Sequence, residues 1–179
     1  MVVAGNGWDV EGEVNVFVVE YNPAGDVVWD YIWDGPFHEQ DLPLDIAIGP
    51  LGQVYVCGQT KTGEGYWDND MFIFVLDTDG NLMWDDTYGV AGAFLDIAFE
   101  MRIGLEGKIY VAGNDDQGET NNHYSGGIVN RYTTSREIDW TIHFNSSIVY
   151  PYADSFHGMD LDINQNVVAC GSTVILNTG

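Results

Sequence analysis

Met71-Phe72-Ile73-Phe74-Val75-Leu76 is a run of six apolar residues with no polar break. A strand with one wet face alternates apolar and polar side chains, so this run predicts a strand covered on both faces. Shorter apolar segments lie on either side of it: Leu44–Ile48, Val54–Gly58 and Leu82–Tyr88. The runs between them, GPLGQ (49–53) and DTDGN (77–81), are rich in the Gly and Asp that hairpin turns need. The pattern therefore predicts four short antiparallel strands, A to D, in chain order. No segment carries a sustained 3.6-residue apolar period with caps, which predicts almost no helix.

The same pattern recurs along the chain. A glycine closes a short β-branched run at Gly5, Gly58, Gly113 and Gly171, in steps of 53, 55 and 58 residues. Tryptophans at 29, 84 and 140 recur in steps of 55 and 56, and another aromatic follows each by four residues: Trp33, Tyr88 and Phe144. Two independent anchors thus give one period near 55. Four-stranded sheets that stack around an axis have both faces covered and repeat at about 40–50 residues, so the expected fold is an all-β propeller. A β-sandwich is the alternative, but it predicts alternation and no such period.

GQVYVCGQT, DMFIFVLDTDGNLMW and DDTYG together resemble the SBBP-type β-propeller repeat. The resemblance spans nearly the whole chain. It is strongest over 44–89 and weakest over 126–146, where Arg136 stands in place of the turn glycine. It implies a propeller of the kind common in secreted or surface proteins of bacteria and archaea. It implies no single activity and no fixed catalytic residues.

The expected units are strands B-C-D of a first blade (1–35), a second blade (36–89), a third (90–146) and strands A-B of a fourth (147–179). This is about three blades and part of another, whereas rings typically hold four to eight. The expected partners are therefore the remainder of a longer chain, or other subunits that complete the propeller. A dimer forming a six-bladed ring is the minority case.

Strand parity places the A–B and C–D turns on one rim and the B–C and D–A loops on the other. The second set varies in length and content: 6–13, 59–69 and 114–126, with 34–43, 90–94 and 145–156. Variable loops on a rigid scaffold are where recognition usually lives. The candidate ligand residues on this rim are Trp8, Asp9, Phe37, His38, Trp67, Asp68, Asp115, Asp116, His123 and Tyr124, with Glu11, Glu39, Asp41, Glu64 and Glu119 beside them. Aromatics flanked by acids suit a sugar, and a protein ligand is equally open. Asp68, Asp70, Asp115 and Asp116 are weak calcium candidates, because oxygen-rich loops suit that hard cation. The plainer reading is that these acids keep the loops solvated. Asp77–Asn81 looks like the start of a calcium loop, but the neighbouring units read NPAGD and TTSRE there, and a turn explains all three.

Composition narrows the function. Twenty-eight acidic residues against five basic give a formal charge of -23, which argues against nucleic acid and anionic membranes. No apolar stretch reaches the roughly 18 residues of a membrane span, and no signal peptide is visible at Met1. Cys57 and Cys170 share one repeat position, held by Ala4 and Ala112 elsewhere, so they read as small buried side chains two units apart and not as a disulfide. His38, His123, His143 and His157 share no repeat position and no metal spacing, and no nucleophile elbow or phosphate-binding glycine loop is present. Asn145-Ser146-Ser147 is a glycosylation sequon. The expectation is a non-catalytic scaffold or binding module, extracellular or on the cell surface, with no cofactor required. The alternatives are the propeller part of a polysaccharide lyase, glycosidase or quinone-dependent dehydrogenase with its catalytic residues elsewhere, and a sugar- or calcium-binding module.

Overall fold

The computed structural model describes residues 1–63, 68–89, 95–116, 125–144 and 154–173. In the described residues thirteen strands make four antiparallel sheets, each a meander in chain order. The first holds β1 (Val2–Trp8), β2 (Val14–Tyr21) and β3 (Val27–Trp33). The second holds β4 (Asp41–Ile48), β5 (Val54–Lys61), β6 (Asn69–Leu76) and β7 (Leu82–Tyr88). The third holds β8 (Ile97–Ile103), β9 (Ile109–Asp116), β10 (Ser125–Tyr132) and β11 (Ile138–Phe144). The fourth is the pair β12 (Ser155–Leu161) and β13 (Val167–Ser172). Among the described residues the one helical element is a 3-10 turn at Leu105–Gly107. The described sheets form an open series and no closed ring.

Successive sheets pack through their first strands. β4 lies against β1 and β2, β8 against β4, β5 and β6, and β12 against β8, β9 and β10. β6 shows why the apolar run does not alternate. Phe72, Phe74 and Leu76 are buried with Val16, Val18 and Trp33 of the first sheet. Met71, Ile73 and Val75 are buried with Met101, Val111 and Ile128 of the third. One strand thus serves two cores, and an apolar residue is required at every position.

The aromatic repeat fastens each sheet to the next. The Trp33 ring lies 4.4 Å from Phe72 and 5.4 Å from Phe74, centroid to centroid, and its indole N–H donates to Asp85 Oδ2 at 3.1 Å. Trp29 donates to the carbonyl of Thr78 at 3.2 Å and packs on Gly80 in the turn of the second sheet. One sheet further on, the guanidinium of Arg136 sits over Trp84 at 5.4 Å. Gly80 and Arg136 hold the same place in their turns.

At this end of the sheets that turn is built six times. In 22–26, 49–53, 77–81, 104–108, 133–137 and 162–166 the first N–H donates to the fifth carbonyl and the fourth N–H to the first carbonyl. The fourth residue has positive φ, from 66° to 91°; it is glycine four times, Arg136 once and Gln165 once. Five of the six are the type I turn with a left-handed bulge residue that joins twisted strands, while in 104–108 the third residue, Glu106, is left-handed as well, at φ 68°. A carboxylate or amide oxygen at the first position often fixes it. Asp77 Oδ1 accepts the N–H groups of Asp79 and Asn81 at 2.9 Å each, and Asp162 Oδ1 those of Asn164 and Asn166 at 2.8 Å each. The apparent calcium loop at 77–81 is thus a hairpin turn whose carboxylate is occupied by backbone donors.

Candidate functional site

Those six turns lie at one end of their strands, and Asp9–Glu13, with Gly12 at φ 92°, makes the same pair of bonds once at the other end. The loops at the other end differ from sheet to sheet, as strand parity requires. Most of the residues singled out from the sequence lie at this second end.

Around the first sheet, β1 ends on Trp8, which is 78% exposed, and Asp9 then closes the tight loop to β2. Asp9 Oδ1 accepts the N–H groups of Glu11 and Glu13 at 2.9 Å each, and Oδ2 accepts Asn15 Nδ2 at 3.2 Å. The Glu13 N–H is the largest cause that lowers the Asp9 carboxyl below its usual value, against desolvation. The loop from β3 to β4 presents exposed Phe37 and His38. His38 has φ 55° and its Nδ1 lies 2.5 Å from Asp34 Oδ2. That hydrogen bond raises its pKa, with smaller contributions from Glu13 and Asp41. The two loops therefore share one electrostatic neighbourhood: aromatics at the edge, and a histidine among carboxylates. Beneath Trp8, a shallow cleft of about 200 Å³ is lined by Gly7, Asp9, Asn15, Phe17 and Ile32.

A second cleft, of about 430 Å³, opens at the same end between the second and third sheets. Glu39, Gln40, Gln59, Lys61 and Asn69 line one side and Leu95 and Ile97 the other, with Lys61 Nζ 3.3 Å from Glu39 Oε2.

Two groups of expected loop acids are corrected. β9 runs on to Asp116, so Asp115 and Asp116 are buried strand residues and not solvated loop acids. His143 Nδ1 lies 3.3 Å from Asp115 Oδ2, and the Asp116 N–H donates to Asp96 Oδ1 at 2.7 Å. Asp41 is likewise buried at the start of β4, where its Oδ2 accepts the Gly35 N–H at 2.7 Å. Asp68 and Asp70 flank the start of β6; burial raises Asp70, opposed by the Thr62 hydroxyl. Among the described residues, no group of three or more His, Cys, Asp or Glu side chains is placed to hold a metal ion. Glu64, Trp67, Glu119, His123, Tyr124 and Asn145 lie outside the described residues. Cys57 is buried, as its repeat position suggests, but Cys170 is exposed, because no described sheet covers the far face of β13.

Sequence reasoning missed two features. Asp41, Asp96 and Asp154 are all buried, at the first residue of β4 and one residue before β8 and β12. Their steps of 55 and 58 match those of Gly58, Gly113 and Gly171, and that match was the available signal. The other is Arg102, which joins three sheets: Nη1 lies 3.4 Å from Asp45 Oδ2, Nη2 pairs with Glu100, and Nε lies 3.8 Å from Asp160 Oδ1. The same Asp45 oxygen accepts the Met101 N–H at 2.7 Å.

The three described histidines have separate surroundings. His38 pairs with Asp34 and His143 with Asp115, while His157 Nε2 lies 2.7 Å from Ser155 Oγ and 3.1 Å from Ser172 Oγ. No protein-family model matches the chain, and no curated protein matches it significantly.

Proposed function

We propose that the four sheets are consecutive blades of a β-propeller, of the SBBP type their sequence resembles, and that they form a non-catalytic scaffold or binding module of a secreted or cell-surface protein. Recognition falls to the rim that carries Trp8, Asp9, Phe37 and His38, and the ligand class is carbohydrate or protein. The observation that carries this reading is the contrast between the two ends of the sheets. One end uses the same five-residue turn at each of its six described hairpins, whereas the other uses it once, between β1 and β2. The other varies its loops and exposes aromatics beside carboxylates, a surface suited to stacking and polar contact.

The test is a ¹H–¹⁵N NMR titration of the chain with neutral gluco-, xylo- and galacto-oligosaccharides. Shift changes centred on Trp8, Asp9, Phe37 and His38, lost in Trp8→Ala, support the reading. Shifts confined to the turn end, or cleavage of the added sugar, overturn it.

A further inference from the structure

The joint between the second and third sheets changes character toward the rim end. Along β5, Tyr55 and Cys57 point into the core that also holds Met71, Ile73 and Val75 of β6. Side chains two apart share a face, so Gln59 and Lys61 follow on the same side, and Lys61 faces Asn69 across the β5–β6 ladder. There the apolar joint gives way to the cleft of about 430 Å³. Its polar wall is Glu39, Gln40, Gln59, Lys61 and Asn69, and its apolar wall is Leu95 and Ile97. That volume lies within the roughly 300–1,000 Å³ of small-molecule sites.

The polar wall is not committed to holding the fold. Gln59, Lys61 and Asn69 are half-buried. Among the described residues, the side chains of Gln40, Gln59 and Asn69 make no hydrogen bond to the protein. The next sheet gives the contrast. Asn114 follows Gly113 as Gln59 follows Gly58, and its Nδ2 donates to the Leu95 carbonyl at 3.1 Å. The matching carbonyl one unit earlier, that of Gln40, accepts the Lys61 backbone N–H at 2.9 Å, and the Gln59 amide stays in the cleft wall.

This donor set selects the ligand. A primary amide offers donors and an acceptor side by side. A hydroxyl is also both donor and acceptor, so three amides match the adjacent hydroxyls of a pyranose ring, while Leu95 and Ile97 meet its C–H face. Ionic ligands fit poorly. Lys61 is the one cation of the wall, its Nζ lies 3.3 Å from Glu39 Oε2, and the formal charge of -23 repels anions.

We propose that this cleft binds a neutral pyranose sugar, free or at the end of a chain, through Gln40, Gln59 and Asn69 against Leu95 and Ile97. The site lies between two four-stranded sheets and shares no residue with the cleft beneath Trp8, so either site can fail alone.

A ¹H–¹⁵N NMR titration with the methyl glycosides of glucose, galactose, mannose and xylose tests this, read at the side-chain amides of Gln40, Gln59 and Asn69. Saturable shifts there with at least one glycoside are expected. Gln59→Leu weakens that binding on the order of tenfold or more, since a sugar hydroxyl then loses its partner. Asn69→Ala provides a second route should Gln59→Leu lose its cooperative melt, and Trp8→Ala leaves the cleft shifts unchanged. No saturable shift with any of these glycosides, or full affinity in both cleft variants, overturns the site. Saturable binding of inorganic phosphate in place of the glycosides overturns it too, because Lys61 would then be the centre of an anion site. Shifts at Trp8, Asp9, Phe37 and His38 without shifts in the cleft sink this inference alone, and the reverse sinks the rim reading alone.

Discussion

Gly58 on β5 faces the carbonyl oxygen of Leu42 on β4 so closely that any Cβ would stand well inside contact distance of it. Gly113 meets Ile97 O in the same way, and Gly171 meets Ser155 O. Each lies at a bulge where the first strand of a sheet slips by one residue: between Pro43 and Asp45, Ala98 and Glu100, and Phe156 and Gly158. The repeated glycine is therefore a close-approach residue set by a bulged neighbour strand. Gly5 has no such neighbour, and a Cβ there meets the ring of Phe17 at 2.7 Å, a side chain free to turn. Gly58→Ala is expected to lose about 1–3 kcal/mol or more, and Gly5→Ala less than about 1 kcal/mol, in urea denaturation. Equal losses would show that the glycines serve something other than the bulge.

Trp33 fills the joint between the first two sheets. Trp33→Ala removes a buried indole and its hydrogen bond to Asp85, and about 3–5 kcal/mol of stability should go with it. Because Trp33 and Phe72 touch, the double variant should lose less than the sum of the two single losses. Additive losses would mean that the two rings do not act as one contact.

Arg136 separates two effects at one position. Its φ of 73° costs a non-glycine residue about 1 kcal/mol, while its guanidinium over Trp84 returns about 0.5–1 kcal/mol. Arg136→Ala keeps the strain and loses the ring contact; Arg136→Gly loses both. Arg136→Gly should therefore melt near the parent and be about 1 kcal/mol more stable than Arg136→Ala.

Burial raises the Asp41 carboxyl above its ordinary 3.8, opposed by Thr60 and the Gly35 N–H. Between those two values the folded chain holds more protons than the unfolded chain. This group's contribution to stability therefore falls as pH rises through that window. Asp9, Asp77 and Asp162 are lowered chiefly by donors from Glu13, Asn81 and Asn166 respectively, so their contribution is present above the ordinary value and is lost as pH falls through the folded one. Asp41→Asn removes the first effect alone. Its melting temperature relative to the parent should climb as pH rises from below 3.8 toward neutrality; a pH-independent difference would contradict the burial argument.

The two thiols should differ in reactivity. Burial pushes the Cys57 thiol well up, and Cys170 is exposed. A colorimetric thiol reagent should titrate one cysteine in the native protein, Cys170, and both only after unfolding.

Much of this fold was legible because its signals are apolar and local. Met71–Leu76 announced two covered faces, and DTDGN announced its turn. The second strands were read too short, since they end in Gln59-Thr60-Lys61 and Asn114-Asp115-Asp116, where polar residues suggest a loop. Buried Asp41, Asp96 and Asp154 escaped for the same reason: pattern reading assigns a carboxylate to water, whereas the fold brings the Gly35 N–H to Asp41 Oδ2 and the Asp116 N–H to Asp96 Oδ1. Cys170 was assigned to an interior because its twin Cys57 lies in one; identical repeat positions share an environment only when both have a neighbouring sheet. The rim was legible as a place, through loop length and strand parity, but the pairing of His38 with Asp34 required the backbone turn that brings them together.

Because each sheet leans only on the ones before and after it, cohesion here is additive along the row, like links in a chain. The inner strands of the two middle sheets, β5, β6, β9 and β10, should hold their amide protons longest, and β1 and β13 should release theirs first. The molecule can therefore open from its flanks while its middle stays shut.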